Sequence, residues 1–597
     1  MKYPKLMVIG LDSVSLTLLD SFKAACPNIR RVMARGVAGR ALPCFPIYTP
    51  TNWAALSTGA DPGVTHAAGW SNNTAGRPLS TFDRRAIPCD TIFDAAAREG
   101  LTTLAVAYPS AYPTGSPRNM VLTPLDSGLA SNCLAPGKIV ETGFDRSGAF
   151  AFDLLDKPAA LSSAAMAKAV GATEDGAAPG GPKRRASASA VRAFVFKAGR
   201  AKWKLGFSPE AGAARIELKH ETWSQPIRVD VAAPGRPGRC DVRVMIFDGG
   251  RRLAVSEAYD VGALGEPAAL ARDVYRRFGP PTEHSVFYSR MSRTFHSGPH
   301  DATITRLAHK DLEAQADWIV RAAGHVQKAR PFDVFYIHHH YPDSVLHTYL
   351  AAANGSSAYS PRQRAAARSV IRNCLRICDG LIGGLLKLAG PSTTVLLVSD
   401  HGNVPNRYMT NVQKRLVETG LTVLNKDGSV SRSRSPAWPG AVWTWIDVNA
   451  REGAGKYEQI QRKVIDALLD WKAPDGERVI ALALKRKDSH LLGYYGRHCG
   501  DVTFHYNSGF SWFGGQTLAA VRAGANHGPQ MPVTFARISD NMAFFVAAGP
   551  AFRRGLRWNG QADGYIRLTD LLPTVCHAAA LPAPSDVTGS IRYRLLR

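Results

Sequence analysis

No run of about 18 apolar residues occurs anywhere in the 597-residue chain, so no segment reads as a membrane-spanning helix. The apolar stretch that follows MKYPK is soon broken by Asp12, which is too short for a signal peptide and predicts a cytoplasmic protein. Cysteines number only nine and form no CxxC pair. Cys374 and Cys378 sit four apart on a helical segment, but no second pair completes a zinc site, and structural disulfides are not expected. Neither GxxxxGKS/T nor a well-placed GxGxxG is present, which removes the main support for nucleotide-hydrolase and dinucleotide-binding readings. Acidic residues are scarce: 48 Asp plus Glu against 73 Lys plus Arg leave a formal charge of +25. That balance favours anionic partners, although basic drift in an Ala- and Arg-rich composition would produce it too. Hydrophobic residues at 45% and charged residues at 20% exclude a wholly disordered chain.

The first 150 residues alternate strand and helix signals. Leu6 to Leu11 is a short apolar run of buried-strand type, and Thr103 to Ala107 is another, after a helical segment at 91–100. A loop with Pro43, Pro46 and Pro50 leads into Trp53-Ala54-Ala55-Leu56, the first turns of a helix. Residues near 170–190 lack large apolar side chains and read as a flexible basic linker. The RRAS within it invites a kinase-site reading, but a solvated basic loop accounts for it. Between 191 and 290 the pattern changes. Ile227, Val229 and Val231 alternate with polar residues, as do Val242, Val244 and Ile246 with their neighbours, and Asp248-Gly249-Gly250 follows as a turn. Period-two patterns with glycine turns predict an antiparallel β-rich insert. From 304 the alternation returns: helices at 304–328, 361–390, 457–470 and 568–580, and strands at 332–337, 395–398 and 543–547. The whole implies one mostly parallel sheet with helices on both faces.

The chemistry-bearing residues fall just after the inferred strands. Asp12 follows the first. Asp343 and His347 follow the strand ending at Ile337, and Asp400 and His401 the one ending at Val398. His527 lies in a Gly-flanked loop. In open α/β sheets, sites form outside the carboxyl ends of strands, so these groups should converge at one edge. Three carboxylates and three imidazoles form a mixed oxygen and nitrogen donor set that suits Zn²⁺ or Mn²⁺ better than Mg²⁺ or Ca²⁺, and six ligands suffice for two metals. Taken singly, each pair has a bland reading as loop polarity or a solvated helix turn. His338 and His340 share one strand face by alternation and His339 takes the other; a polar strand terminus explains them as readily as a supporting role near Asp343.

The segments VIGLDS, PIYTPTNWAALSTGADPGVTH, YPDSVLH, VLLVSDHGN and ANHGP resemble the signatures of the alkaline phosphatase superfamily, and most nearly its type I phosphodiesterase/nucleotide pyrophosphatase branch with the bacterial phosphohydrolase and phosphomutase relatives. The resemblance covers about residues 5–110 and 300–590. It implies an alkaline-phosphatase-like α/β fold, a mostly parallel sheet sandwiched by helices, with a β-rich subdomain inserted. On this reading residues 1–150 and 301–597 are the two parts of the catalytic core and 151–300 the insert, which shapes substrate access. Asp12, Thr49, Asp400 and His401 resemble the ligands of one divalent metal, and Asp343, His347 and His527 those of the other. Thr49 stands nine residues before the Thr58-Gly59 dipeptide, the family's nucleophile position. Thr51 takes a neighbouring position suited to helix capping. Asn72 lies about where relatives place an Asn on the phosphate, with Ser71 and Asn73 competing for the role. Threonine rather than Cys or Ser at 49 disfavours sulfatase chemistry.

The expected function is a two-metal phosphoesterase, with zinc or manganese, that cleaves phosphodiester or pyrophosphate bonds of a phosphorylated small molecule through a phospho-threonine intermediate. A phosphomonoesterase or phosphomutase on the same core is the alternative. A basic nucleic-acid-binding protein is the rival of another class; the insert shows no RNA-binding signature to favour it.

Overall fold

The computed structural model describes residues 2–72, 78–126, 129–130, 133–155, 191–233, 236–260, 265–281, 285–295, 301–440, 442–449, 453–496, 499–512, 514–521 and 523–597. The basic stretch at 170–190 and its RRAS lie outside the described residues. The chain divides into two compact units. One comprises Met1–Leu104, Tyr108–Ala111 and Phe332–Arg597; the other comprises Ala105–Ala107 and Tyr112–Pro331. The expected insert, 151–300, falls inside the second unit.

The first unit is built on β1 (Leu6–Leu11), β2 (Gly36–Leu42), α1 (Thr49–Thr58), β3 (Val334–His339), α2 (Tyr341–Ala353), α3 (Pro361–Leu385), β4 (Thr394–Val398), β5 (Ala543–Ala548) and α4 (Leu568–Ala578). Its strands lie side by side in the order β3-β1-β4-β5-β2. β1 pairs parallel with β3 and with β4, so three consecutive strands point the same way. β5 runs antiparallel to both β4 and β2 within a mostly parallel sheet. β1, β3, β4 and β5 are buried at every residue, which is why each reads as an unbroken apolar run rather than an alternating one.

Local chemistry sets the helix starts. Pro342 and Asp343 occupy the first turn of α2, where a missing N–H costs nothing and a negative charge faces the positive end of the helix dipole. Ser360 and Gln363 form a capping box ahead of α3. Gly59 stops α1 with φ +69°, a left-handed conformation that glycine adopts without strain. A second core in this unit packs Leu416, Val464, Phe504 and Trp512 around the antiparallel strands 437–439, 445–448, 480–485 and 502–506.

The second unit is antiparallel. One sheet joins Ala149–Leu155, Val191–Gly199, Lys202–Gly206 and Ile216–Lys219, and another pairs Ile227–Ala233 with Arg236–Val242. Phe152, Val195, Trp203, Val242, Ile246 and Leu253 pack together as its core. The long helix Ala302–Ala329 belongs to this unit, so the α/β alternation that resumes near 304 in the sequence begins before the first unit does, at Phe332. Among the described residues no helix is long and apolar enough to cross a membrane.

Candidate active site

Because β1, β3 and β4 are parallel, their carboxyl ends share one edge, and the residues that follow them meet there. Asp12 leaves β1, Asp343 opens α2 after β3, and Asp400-His401 leave β4. All four are buried. α1 brings Thr49 to the same place as its first helical residue, with Thr49 Oγ1 3.3 Å from His401 Nε2. The approach of α1 depends on Gly10: a Cβ there would lie 2.3 Å from the ring of Trp53, one helical turn after Thr49.

The expected residues lie near one another, though His401 rather than His347 clusters with Asp343 and His527. The ligand atoms of Asp12, Asp400 and His401 lie within 4.8 Å of one another, as do those of Asp343, His401 and His527. His347, one turn after Asp343 on α2, places its Nε2 3.2 Å from Asp343 Oδ1. The imidazole tautomers follow from their outer partners. His347 Nδ1 is 2.7 Å from the Ala525 carbonyl and His527 Nδ1 is 2.6 Å from the Ile47 carbonyl. His401 Nδ1 is 3.2 Å from the Gly402 carbonyl. A carbonyl only accepts, so each Nδ1 carries a hydrogen and each Nε2 is turned inward. That is the arrangement that metal-ligating histidines use. His401 Nε2 lies 3.0 Å from Asp400 Oδ2; burial lowers the His401 pKa, but the charge and contact of Asp400 raise it above the usual value.

The carboxylates tell the same story. Asp12 Oδ1 and Asp400 Oδ2 are buried and receive no hydrogen bond, although Asp400 Oδ2 lies 3.0 Å from His401 Nε2. Burial raises the Asp12 carboxyl, but hydrogen bonds and charge from His338 and His340 overcome this and hold it well below the usual range. Burial and the neighbouring charge of Asp12 push Asp400 up to about 7. Burial, then the charge of His401 against its ring, drives His527 well below the ordinary histidine value; the two rings stack at 3.6 Å. Three clustered carboxylates, two of them with an oxygen that receives no hydrogen bond, faced by three imidazole nitrogens, fit divalent cations.

The strand end at 338–340, weighed above for a supporting role, and two residues that the sequence did not single out, Ser13 and Asn403, hold the cluster in place. His338 Nε2 and His340 Nδ1 both reach Asp12 Oδ2, at 2.8 and 3.0 Å, and His339 points away into the buried opposite face. The alternation is as expected, but the pair is a support for Asp12 rather than a polar strand end. Ser13 adopts φ +63°, a left-handed conformation that a serine takes at a cost. Its N–H donates to Asp400 Oδ1 and its hydroxyl to Asp343 Oδ1 at 2.6 Å, which ties the two carboxylates together. Asn403 donates to Ser13 Oγ and Asp343 Oδ1. The Asn72 amide nitrogen donates to the carbonyls of His66 and Ala86, which holds its loop; Ser71 pairs across a short strand with Ser80, and Asn73 lies outside the described residues. Thr51 does not cap α1. The helix starts two residues earlier behind Tyr48, and the Thr51 hydroxyl is buried within its first turn.

The sequence matches the type I phosphodiesterase / nucleotide pyrophosphatase family over residues 6–161 and 271–530. No curated protein matches the chain. Among solved structures, the chain is similar to wild-type alkaline phosphatase PafA, with a TM-score of 0.50 and 11% identity over the whole of both chains. It is also similar to murine ectonucleotide pyrophosphatase / phosphodiesterase 5 (TM-score 0.47, 13% identity, the whole of both chains). A third likeness is to phosphonoacetate hydrolase from Sinorhizobium meliloti 1021 (TM-score 0.45, 13% identity, 97% of this chain and 95% of that one). With 416 of its 597 residues inside the family match, the chain belongs to the type I phosphodiesterase / nucleotide pyrophosphatase family and is a hydrolase of that class.

Proposed function

We propose that the chain hydrolyses phosphodiester or pyrophosphate bonds of a phosphorylated small molecule, with Thr49 as nucleophile. The observation that carries this reading is the placement of the Thr49 hydroxyl at the start of α1, 3.3 Å from His401 Nε2 and beside the converging Asp and His groups. The N–H groups at the start of a helix favour a bound phosphate. Asp12, Asp400 and His401, with Thr49, would hold one divalent cation, and Asp343, His347 and His527 the other; zinc suits the set best and manganese next. Bound there, the cations would lower the pKa of the threonine hydroxyl and offset charge that builds on the phosphoryl oxygens. Thr49 Oγ attacks phosphorus; the Thr49–phosphoryl bond forms as the bond to the leaving oxygen breaks. Water then splits the phospho-threonine and returns the hydroxyl. Eight of the nine cysteines are free and buried, which supports a reducing, cytoplasmic setting.

The test is to assay Thr49→Ala, Thr49→Ser and Thr51→Ala on nitrophenyl diester and monoester substrates, with intact-mass analysis after acid quench. Thr49→Ala should lose roughly 10⁴-fold or more in kcat, Thr49→Ser should keep measurable turnover, and Thr51→Ala should cost far less. Phosphate should appear on the wild type and not on Thr49→Ala. A dead Thr51→Ala beside a normal Thr49→Ala would overturn the assignment, and faster monoester turnover would replace diesterase by monoesterase.

A further inference from the structure

At the amino ends of the parallel strands, the edge opposite the candidate active site, lies a cavity of about 930 Å³. It is reached from the start of β4 at Thr393 and Val395, while Asp400 leaves the other end of that strand. Five residues of extended chain separate the two edges by about 17 Å, so the two sites are distinct. The lining carries Arg31, Arg35, Arg554 and Arg597 and no acidic residue. Arg31 donates to the Asn28 side-chain oxygen and Arg597 to the Phe552 carbonyl; among the described residues none of the four arginines has an ion-pair partner. Elsewhere the arginines of this chain are commonly matched, as Arg98 is by Asp90 and Arg592 by Asp570. Arg35 sits in the last turn of the helix Pro27–Arg35, where a positive charge suits the helix dipole, but that accounts for one guanidinium and not four. The remaining wall is mostly apolar, with Tyr3, Pro550 and the polar Thr393 among it.

The four arginines are exposed to solvent, and like charges round one cavity raise the local potential for an anion. Guanidinium groups present planar forks that match phosphate oxygens two at a time. The volume lies within the range of small-molecule sites, about 300–1,000 Å³. We propose that this cavity binds an oligophosphate anion, the chemistry shared by free tripolyphosphate and a nucleoside triphosphate, at a second site separate from the catalytic centre. The proposal does not depend on Thr49 acting as nucleophile.

The experiment measures binding of tripolyphosphate and of ATP by calorimetry to chelator-dialysed protein, so that no turnover intervenes. Wild type, Arg35→Ala/Arg554→Ala and Thr49→Ala are compared. One site per chain is expected, weakened about tenfold or more in the double arginine variant and unchanged in Thr49→Ala. The double variant should still hydrolyse a nitrophenyl diester at the wild-type rate once remetallated, which shows that it is folded. Tighter binding of ATP than of tripolyphosphate, lost in Tyr3→Ala, assigns the site to a nucleotide; equal binding assigns it to the phosphates alone. Equal affinity in wild type and the double arginine variant overturns the proposal. So does loss of binding in Thr49→Ala instead, which moves the ligand to the catalytic centre, or capture by phosphatidylserine vesicles with no affinity for either phosphate.

Discussion

Replacing Gly10 by alanine tests how the sheet holds α1, the helix that carries Thr49. Gly10 is the second-last residue of β1, between His338 of β3 and Val398 of β4. An alanine Cβ would fall 2.3 and 2.5 Å from Cη2 and Cζ3 of Trp53 and 2.8 Å from the Ile337 carbonyl oxygen. Carbon atoms in contact prefer about 3.5–4.0 Å, so the ring must retreat by more than about 1 Å. It has little room to do so: Trp53 is fully buried, its ring is 4.8 Å from that of His338 and 5.6 Å from that of Tyr108, and the Tyr108 hydroxyl donates to the Trp53 carbonyl. Overpacking of this kind costs about 1–3 kcal/mol, and the clash with backbone on the other side argues for the upper end. Trp53 follows Thr49 by one turn on the same face of α1, so the displacement reaches the hydroxyl. A misplacement near 1 Å costs on the order of 10²-fold in turnover. Gly10→Ala should therefore melt several degrees lower and lose about two orders of magnitude in kcat with little change in KM. Adding Trp53→Phe, which removes the clashing atoms, should restore part of both. A Gly10→Ala enzyme with wild-type melting and wild-type kcat would refute the reasoning.

Three further outcomes follow from the geometry. His338→Ala removes the 2.8 Å contact to Asp12 Oδ2 and should weaken divalent-metal affinity by about 10–100-fold in chelator competition; unchanged affinity would mean that Asp12 is held without it. Chelation should abolish turnover, with Zn²⁺ or Mn²⁺ restoring it, and should lower the melting temperature because Asp12, Asp343 and Asp400 are left crowded together; elemental analysis should find two transition-metal ions per chain. Asp311 in the second unit is pushed up to about 6 by burial, against hydrogen bonds from Trp223 Nε1 and Ser285 Oγ that favour its charge. Its folded pKa lies above the unfolded value, so the native state binds the extra proton between about pH 4 and 6 and stability falls as pH rises through that window, by up to ~3 kcal/mol. Denaturation of wild type and Asp311→Asn at pH 4.5 and 7 checks this: the variant should lack that part of the slope, and an identical slope in both would exclude Asp311 as its source.

Much of the site was legible because its chemistry is written locally. A strand buried on both faces needs a mostly apolar run, so Leu6–Leu11 and residues 395–398 stand out, and the carboxylates Asp12 and Asp400 follow within two residues of their ends. Asp343 and His347 are visible for a similar reason, since Pro342 marks the helix start and a spacing of four puts them on one face. What stayed hidden depends on register and direction. His338 and His340 find Asp12 only because β1 and β3 pair parallel with Leu11 opposite His339, a match between residues more than 300 positions apart that no local pattern carries. The antiparallel course of β5 is hidden by the same burial that makes it recognisable, because a continuous apolar run has no arrow. The amphipathic periodicity of 302–329 predicts a helix but does not say which unit's core it covers. Ser13 is the sharpest case. A left-handed φ is ordinarily a signal for glycine or asparagine, and here a serine accepts the strain because its hydroxyl and amide are both spent on the carboxylates of Asp343 and Asp400. The residue types that form the centre are therefore encoded next to the strands that carry them. The residues that aim them are encoded by the pairing of those strands and become readable only once the sheet is assembled.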